Sequence, residues 1–181
     1  RQEDGVIDLK KFRKEILFKN VDFTYNNSKK IVLDQISLRI PSRTSIAIVG
    51  GSGAGKTSLV DLITLINRPD NGELKIDGVP HSQIKKSTWQ NQIGYVSQDT
   101  IIFDDTIANN ISMWQSKKSK DELYQNIKNA AKQANILDFI ESLPDGFDTI
   151  VGDRGILLSG GQKQRIFIAR ELYRKPNLLI L

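Results

Sequence analysis

One stretch of this sequence has the residue types and spacing of a phosphate-binding loop, G-x-x-x-x-G-K-[ST]. The pattern is matched at every fixed position by Gly50-Gly51-Ser52-Gly53-Ala54-Gly55-Lys56-Thr57. The glycines allow backbone N–H groups to point into one concavity, and a helix that begins there adds partial positive charge. Lys56 can reach the β- and γ-phosphates, Thr57 can offer its hydroxyl to Mg²⁺, and Ser58 can reach a phosphate oxygen. The stretch therefore predicts a polyphosphate site.

The neighbouring residues have the patterns needed to position this loop. Residues 45–49 are short, mostly apolar and rich in β-branched side chains, which predicts a buried parallel strand. Apolar residues then recur at helical spacing up to Ile66, and residues 69–72 supply a stop. The alternative, a glycine-rich turn in an unrelated fold, would not require this order of strand, loop and helix.

Composition narrows the class of protein. The chain has 181 residues, 39% of them hydrophobic and 26% charged, which is ordinary for a soluble globular domain. It has no Cys and one His, which argues against thiolate or His-based metal sites. No apolar run approaches the roughly 18 residues of a membrane span. The net charge of +5 is spread along the chain, so we expect no nucleic-acid partner.

Strand patterns dominate the chain before the loop. Residues 1–14 are polar and predict a linker, and alternation from Ile16 to Tyr25, with a bend at Asn20, predicts two strand segments. With the alternation of residues 36–40, these segments predict an antiparallel β layer. Asp77-Gly78 predicts a hairpin turn. A further short strand at 93–96 would place Gln98 at a carboxyl end, where α/β sheets bind ligands.

The second half of the chain is predominantly helical. Asp105 or Thr106 can cap a short helix, and Ser119 with Glu122 forms a capping-box pattern before a longer one. Residues 105–157 therefore predict a helical subdomain. The final residues, 178–181, are apolar and predict a buried strand.

A second glycine-containing helix start follows the helical subdomain. It consists of Leu158-Ser159-Gly160-Gly161-Gln162. Ser159 is a good N-cap, and the glycines leave backbone amides bare at a helix N-terminus, as a second anion site would require. A simple glycine-containing cap is the alternative.

The phosphate loop, together with the pentapeptide 158–162 about a hundred residues later, resembles the nucleotide-binding domain of ATP-binding cassette (ABC) transporters. The pentapeptide matches the ABC signature sequence. The resemblance implies an α/β fold: a P-loop NTPase core with an N-terminal antiparallel β layer and an inserted helical subdomain at about 105–157. It also implies that residues 1–14 are a linker from a missing upstream transmembrane region. Residues 15–181 would then be the ATP-binding domain.

The resemblance also assigns roles to individual residues. Tyr25 would stack on adenine, and Val32 would lie near the base. Gln98 would contact Mg²⁺ and the attacking water. Residues 150–155, with Asp153 where Glu is more usual, resemble the loop that exporters place against their membrane domains. Residues 103–107 are also exporter-like. The implied cofactors are ATP and Mg²⁺.

The acidic residues that such domains use in hydrolysis do not occur where the family pattern places them. In the family, the strand matching 178–181 is followed by an Asp that helps hold Mg²⁺ and a Glu that acts as general base, and later by a His. The printed sequence contains none of the three, and His81 lies far upstream of the family's His. We therefore expect these 181 residues to bind ATP with little or no turnover, although Lys56 and Gln98 are present.

Taken together, the predicted function is that of an ATP-binding motor domain of an ABC exporter. The resemblance implies a transmembrane partner, fused upstream or separate, and a head-to-tail dimer in which Ser159 and Gly161 of one copy cap the γ-phosphate held by Lys56 of the other. The complete protein would work at the cytoplasmic face of a membrane, and this fragment would be soluble. A soluble ABC-type ATPase of DNA maintenance and a nucleotide-binding module without turnover are the alternatives.

Overall fold

The computed structural model describes residues 4–25, 30–97, 101–115, 119–153 and 155–181. The chain divides into two compact units, Arg1–Ile93 and Gly94–Leu181.

The first unit is built on an antiparallel sheet of four strands, with spatial order β2-β1-β3-β4. The strands are β1 (Glu15–Thr24), β2 (Ile31–Pro41), β3 (Asn71–Ile76) and β4 (Val79–Pro80). Alternate residues of β1 are buried, including Ile16 and Phe18, which gives the sheet its core face. β1 is one strand with a register shift after Phe18, where Asn20 has a φ of 48°. The sheet confirms the predicted antiparallel layer and the bend at Asn20.

The β3–β4 turn also holds the chain that enters β1. Asp77 and Gly78 have φ values of 52° and 83°, as a two-residue type I′ hairpin requires. The Asp77 carboxylate accepts hydrogen bonds from the backbone N–H groups of Arg13 and Lys14, both at 2.7 Å. The sequence therefore encodes both the hairpin and an anchor for the residues before β1.

Part of the stretch that we predict to be a linker is packed in the first unit. Leu9 and Phe12 are buried, and the Phe12 ring lies edge-on to Trp89 with 5.6 Å between centroids. The Phe12 N–H donates to Gln92 Oε1 at 2.8 Å. The boundaries of linker, ATP-binding domain and helical subdomain stay predictions.

Two helices of the first unit are α1 (Lys56–Ile63) and α2 (Lys86–Gln90). The structure corrects the prediction before α1, because residues 45–49 form no strand. Val49 is 91% exposed, and Ile46 and Ile48 are also exposed. A buried parallel strand needs hydrogen-bonded neighbours, and no described strand pairs with these residues. α1 also ends earlier than predicted, since Leu65 has a φ of 56° and Ile66 is exposed.

The second unit combines short strands with helices. β5 (Ile93–Tyr95), which begins at the boundary between the units, pairs with β8 (Leu178–Ile180), and β6 (Asp105–Thr106) pairs antiparallel with β7 (Ile150–Val151). The described helices are α3 (Ile107–Ser112), α4 (Lys120–Gln133), α5 (Leu137–Glu141) and α6 (Gly160–Tyr173). β8 is half-buried rather than fully buried as predicted.

The helices of the second unit share an apolar core that includes Ile111, Ile127, Ile140 and Ile166. The predicted caps are present. Thr106 Oγ1 accepts from the Asn109 N–H at the start of α3, and Ser119 Oγ accepts from the Glu122 N–H at the start of α4. These caps satisfy amides that a helix N-terminus otherwise leaves without a partner.

Candidate functional site

The phosphate loop ends in a helix start that has no side-chain cap. Gly55 is the N-cap of α1 with a φ of 86°, and no side chain bonds to the first amides of the helix. Gly53 also has a positive φ, 75°. Residues with a Cβ are strained in this left-handed conformation, so glycine is needed at both positions. Open amides and the positive end of the helix dipole are what the predicted anion site requires.

The loop packs closely against β2. A Cβ built on Gly55 would lie 2.8 Å from Leu33 Cδ2 and 3.1 Å from the Val32 carbonyl oxygen. Val32, predicted to lie near a base, is therefore next to the loop. The close approach gives Gly55 a second reason to be glycine.

Lys56 folds back over the loop in this structure. Its Nζ donates to the carbonyl oxygens of Gly50 and Gly51, at 2.8 and 2.7 Å. These bonds hold the ammonium beside the loop backbone. Thr57, the next residue, is exposed.

Tyr25 is hydrogen-bonded to the helix that follows the loop. Its hydroxyl lies 2.9 Å from Ser58 Oγ and donates to Asp61 Oδ2 at 3.4 Å. Its ring packs edge-on against Phe23, with 4.9 Å between centroids, and the residue is 40% exposed. The structure thus brings Tyr25, Val32 and the phosphate loop together.

The donor set around the loop fits a magnesium ion that arrives with a polyphosphate. No group of three or more His, Asp or Glu residues that could hold a metal ion lies within the described ranges. Mg²⁺ commonly takes only one or two protein ligands and completes its shell with phosphate oxygens and water. An exposed Thr57 hydroxyl at the helix start has the chemistry of such a ligand. Gln98, the other predicted ligand, lies outside the described residues.

The second glycine-containing helix start is in the second unit and is capped. Ser159 Oγ accepts from the Gln162 N–H at 3.3 Å, and Gln162 Oε1 accepts from the Ser159 N–H at 2.8 Å. This reciprocal arrangement is a complete capping box. Gly160 and Gly161 are exposed, and a Cβ on either would meet nothing within 4 Å.

The two exporter-like stretches lie side by side in the second unit. β6 contributes Asp105 and Thr106, and β7 contributes Ile150 and Val151. Next to this pairing, the Asp104 carboxylate accepts from the Asp153 N–H at 2.6 Å. Sequence reasoning identified each stretch separately but not their pairing. Arg154 lies outside the described residues.

Sequence reasoning also missed Arg170, which is 5% exposed. Its guanidinium donates to the backbone carbonyls of Asn110 and Ile101, and it lies over the rings of Phe103 and Phe167 at 5.2 and 4.9 Å. Burial lowers the pKa of Arg170, and the nearby Glu171 charge offsets part of that shift. The available signal was its position, four residues after Ile166, within the apolar face of α6.

The described geometry is that of a P-loop domain of the α/β class with an antiparallel β layer. The model of the ABC transporter family matches residues 33–181. The chain belongs to the ABC transporter family.

Two curated relatives align with nearly the whole chain. The chain is 42% identical over 182 residues to the ATP-dependent lipid A-core flippase of Methylococcus capsulatus, covering 100% of this chain and 30% of the flippase. It is 42% identical over 180 residues to the mitochondrial ATP-binding cassette sub-family B member 10 of Mus musculus, covering 99% of this chain and 25% of the mouse protein.

A solved structure, that of a bacterial Atm1-family ABC exporter with ATP bound, matches with a TM-score of 0.79 and 36% identity. The match covers 97% of this chain and 30% of the exporter chain. The chain thus spans between 25% and 30% of the length of these relatives. Among the described helices, none has the length and apolar character needed to cross a bilayer.

Proposed function

We propose that this chain is the ATP-binding motor domain of an ABC exporter, and that ATP binding and hydrolysis in the complete protein drive transport across a membrane. The observation that carries the proposal is the uncapped phosphate loop with Lys56 at its helix start, in a chain that also has the signature residues 158–162. The exporters among the relatives support this function over DNA maintenance.

The first unit supplies the groups for Mg-ATP. Amides of residues 50–57 and the Lys56 ammonium hold the β- and γ-phosphates, and Thr57 provides a metal ligand. Ser58 supplies a hydroxyl for a phosphate oxygen. The half-exposed ring of Tyr25 would stack on adenine, and Val32, which lies against Gly55, would lie near the base. When bound, Mg²⁺ neutralises phosphate charge that would otherwise build up during phosphoryl transfer.

The second unit supplies the surfaces for partners. The exposed signature helix start would cap the γ-phosphate of a second copy in a head-to-tail dimer, using Ser159, Gly160, Gly161 and Gln162. The paired segments around β6 and β7, with the cleft beside Asp153 and Lys163, would receive a membrane domain. The complete protein would place this domain at the cytoplasmic face of the membrane.

Calorimetric titration with Mg-ATP tests the binding proposal. We expect saturable binding by the 181-residue chain and at least a tenfold loss in Lys56→Ala, because a charge-assisted phosphate contact is worth about 1.5–3 kcal/mol. Lys10→Ala, which removes an exposed lysine, is the charge-matched control. Equal affinities in all three proteins would refute the assignment of the loop.

Turnover is expected to be separate from binding. Gln98 is an orienting group for water, but the printed sequence lacks the general base that the family pattern places after β8. Phosphate release from residues 1–181 should therefore be slower by about 10²–10⁴ than from a chain that carries that base. Lys56-dependent release at equal rates would contradict this.

A further inference from the structure

The Tyr25 hydroxyl, the Ser58 hydroxyl and the Asp61 carboxylate form a hydrogen-bonded chain beside the phosphate loop. Tyr25 Oη is 2.9 Å from Ser58 Oγ and 3.4 Å from Asp61 Oδ2. Asn67 Nδ2 donates to the same Asp61 oxygen at 3.3 Å. Ser58 is 4% exposed. The Ser58 hydroxyl therefore has a hydrogen-bond partner in Tyr25.

The hydroxyl protons of Tyr25 and Ser58 have one favoured arrangement. Each hydroxyl has a single proton to donate, and a carboxylate can only accept. Both contacts of the Tyr25 hydroxyl are hydrogen bonds only when its proton points to Asp61, because the carboxylate cannot donate. The Tyr25 oxygen then accepts the Ser58 proton. In this arrangement Ser58 has no proton left for another acceptor.

A phosphate oxygen requires that same proton. Polyphosphate oxygens bound with Mg²⁺ accept hydrogen bonds, and Ser58 can contribute to them only as a donor. The bond from Ser58 to Tyr25 must therefore break before Ser58 can bind phosphate. Tyr25, which must give up this bond, follows the last residue of β1 and is 40% exposed.

We infer that the Tyr25 hydroxyl is a latch that competes with phosphate for the Ser58 hydroxyl. The inference rests on the proposed function, since it requires polyphosphate in the loop of residues 50–57. It gives Tyr25 two opposing effects on nucleotide affinity. The hydroxyl lowers nucleotide affinity by keeping the Ser58 hydroxyl from phosphate, whereas the ring raises it by stacking on the base.

Mg-tripolyphosphate is the decisive probe, because it has the phosphates of ATP but no base. Tyr25→Phe removes only the hydroxyl and should bind this probe about two- to tenfold more tightly, the factor that corresponds to one net hydrogen bond. In a Ser58→Ala background, Tyr25→Phe should have no effect. Calorimetry on the parent, both single variants and the double variant completes the cycle.

Mg-ATP separates the two effects of Tyr25. Tyr25→Ala should gain affinity for tripolyphosphate, as Tyr25→Phe does, but lose affinity for ATP because the ring is gone. Melting curves without ligand establish that each variant is folded.

Two results would overturn the latch: unchanged or weaker tripolyphosphate binding by Tyr25→Phe, or the same gain with and without Ser58. A failure of the underlying phosphate site looks different, because Lys56→Ala would then bind tripolyphosphate as well as the parent does.

Discussion

The two glycine-containing helix starts of this chain differ in how their backbone amides are satisfied. At α1, Gly55 is the N-cap in the left-handed conformation, with no capping side chain. At α6, Ser159 and Gln162 close a reciprocal capping box. Sequence patterns predict an anion site at both. In the structure, the start of α1 has no capping side chain, whereas at the start of α6 a capping box satisfies two backbone amides.

The glycines also differ in what requires them. Glycine is required at position 55 by the φ of 86° and by the close approach of Leu33 and Val32. Gly160 and Gly161 have open space around a built Cβ. The fold itself therefore explains Gly55 but not Gly160 or Gly161. Their small size matches the proposed approach of a second copy and its γ-phosphate.

The largest effect is expected from Gly55→Ala. A left-handed alanine and the contact with Leu33 should lower the free energy of unfolding by about 1–3 kcal/mol. Denaturant unfolding without ligand measures it. Gly51→Ala is the matched control, because a Cβ at Gly51 meets nothing within 4 Å. Equal stability of the two variants would show that the loop has no conformational requirement at Gly55.

A smaller loss is expected when the cap of α6 is removed. Ser159→Ala should lower the free energy of unfolding by about 1 kcal/mol, because the Gln162 amide loses its acceptor. Ser159→Asp keeps an acceptor oxygen and should retain most of the parent's stability. Denaturant unfolding measures both variants. A loss of stability in Ser159→Asp as large as in Ser159→Ala would show that the side-chain oxygen does not stabilise the helix as a cap.

The smallest effect is expected from Gly160→Ala. The position is helical and open, so alanine should leave the free energy of unfolding within about 0.5 kcal/mol of the parent, on the stabilising side. A loss above 1 kcal/mol would mean that Gly160 is needed by the fold. The contrast drawn with Gly55 would then fail.

Sequence patterns predicted those structural features that depend only on residues close together in the chain. The phosphate loop, the Asp77-Gly78 turn and the Ser159 cap are short-range features, and each is present. The prediction of a strand at 45–49 was wrong, because an apolar run does not reveal whether another strand pairs with it. Spacing alone could not supply that partner.

Contacts between residues far apart in the sequence also could not be predicted from it. Tyr25 and Ser58 are 33 positions apart, and no periodicity links a strand end to a helix on the other side of the loop. Asp61 carries a weak signal, since it lies three residues after Ser58 on the same side of α1. The buried Arg170 shows the same limit, because its carbonyl partners come from a segment 60 or more residues away.

Thermal melting with and without Mg-ATP tests most directly which helix start binds nucleotide in a single chain. At a hundred times the dissociation constant, ATP should add about 2.7 kcal/mol to the stability of the parent. We expect Ser159→Ala to keep this gain, measured from its own lower baseline, and Lys56→Ala to lose most of it. A full gain in Lys56→Ala, or its loss in Ser159→Ala alone, would contradict the assignment of the nucleotide to the phosphate loop.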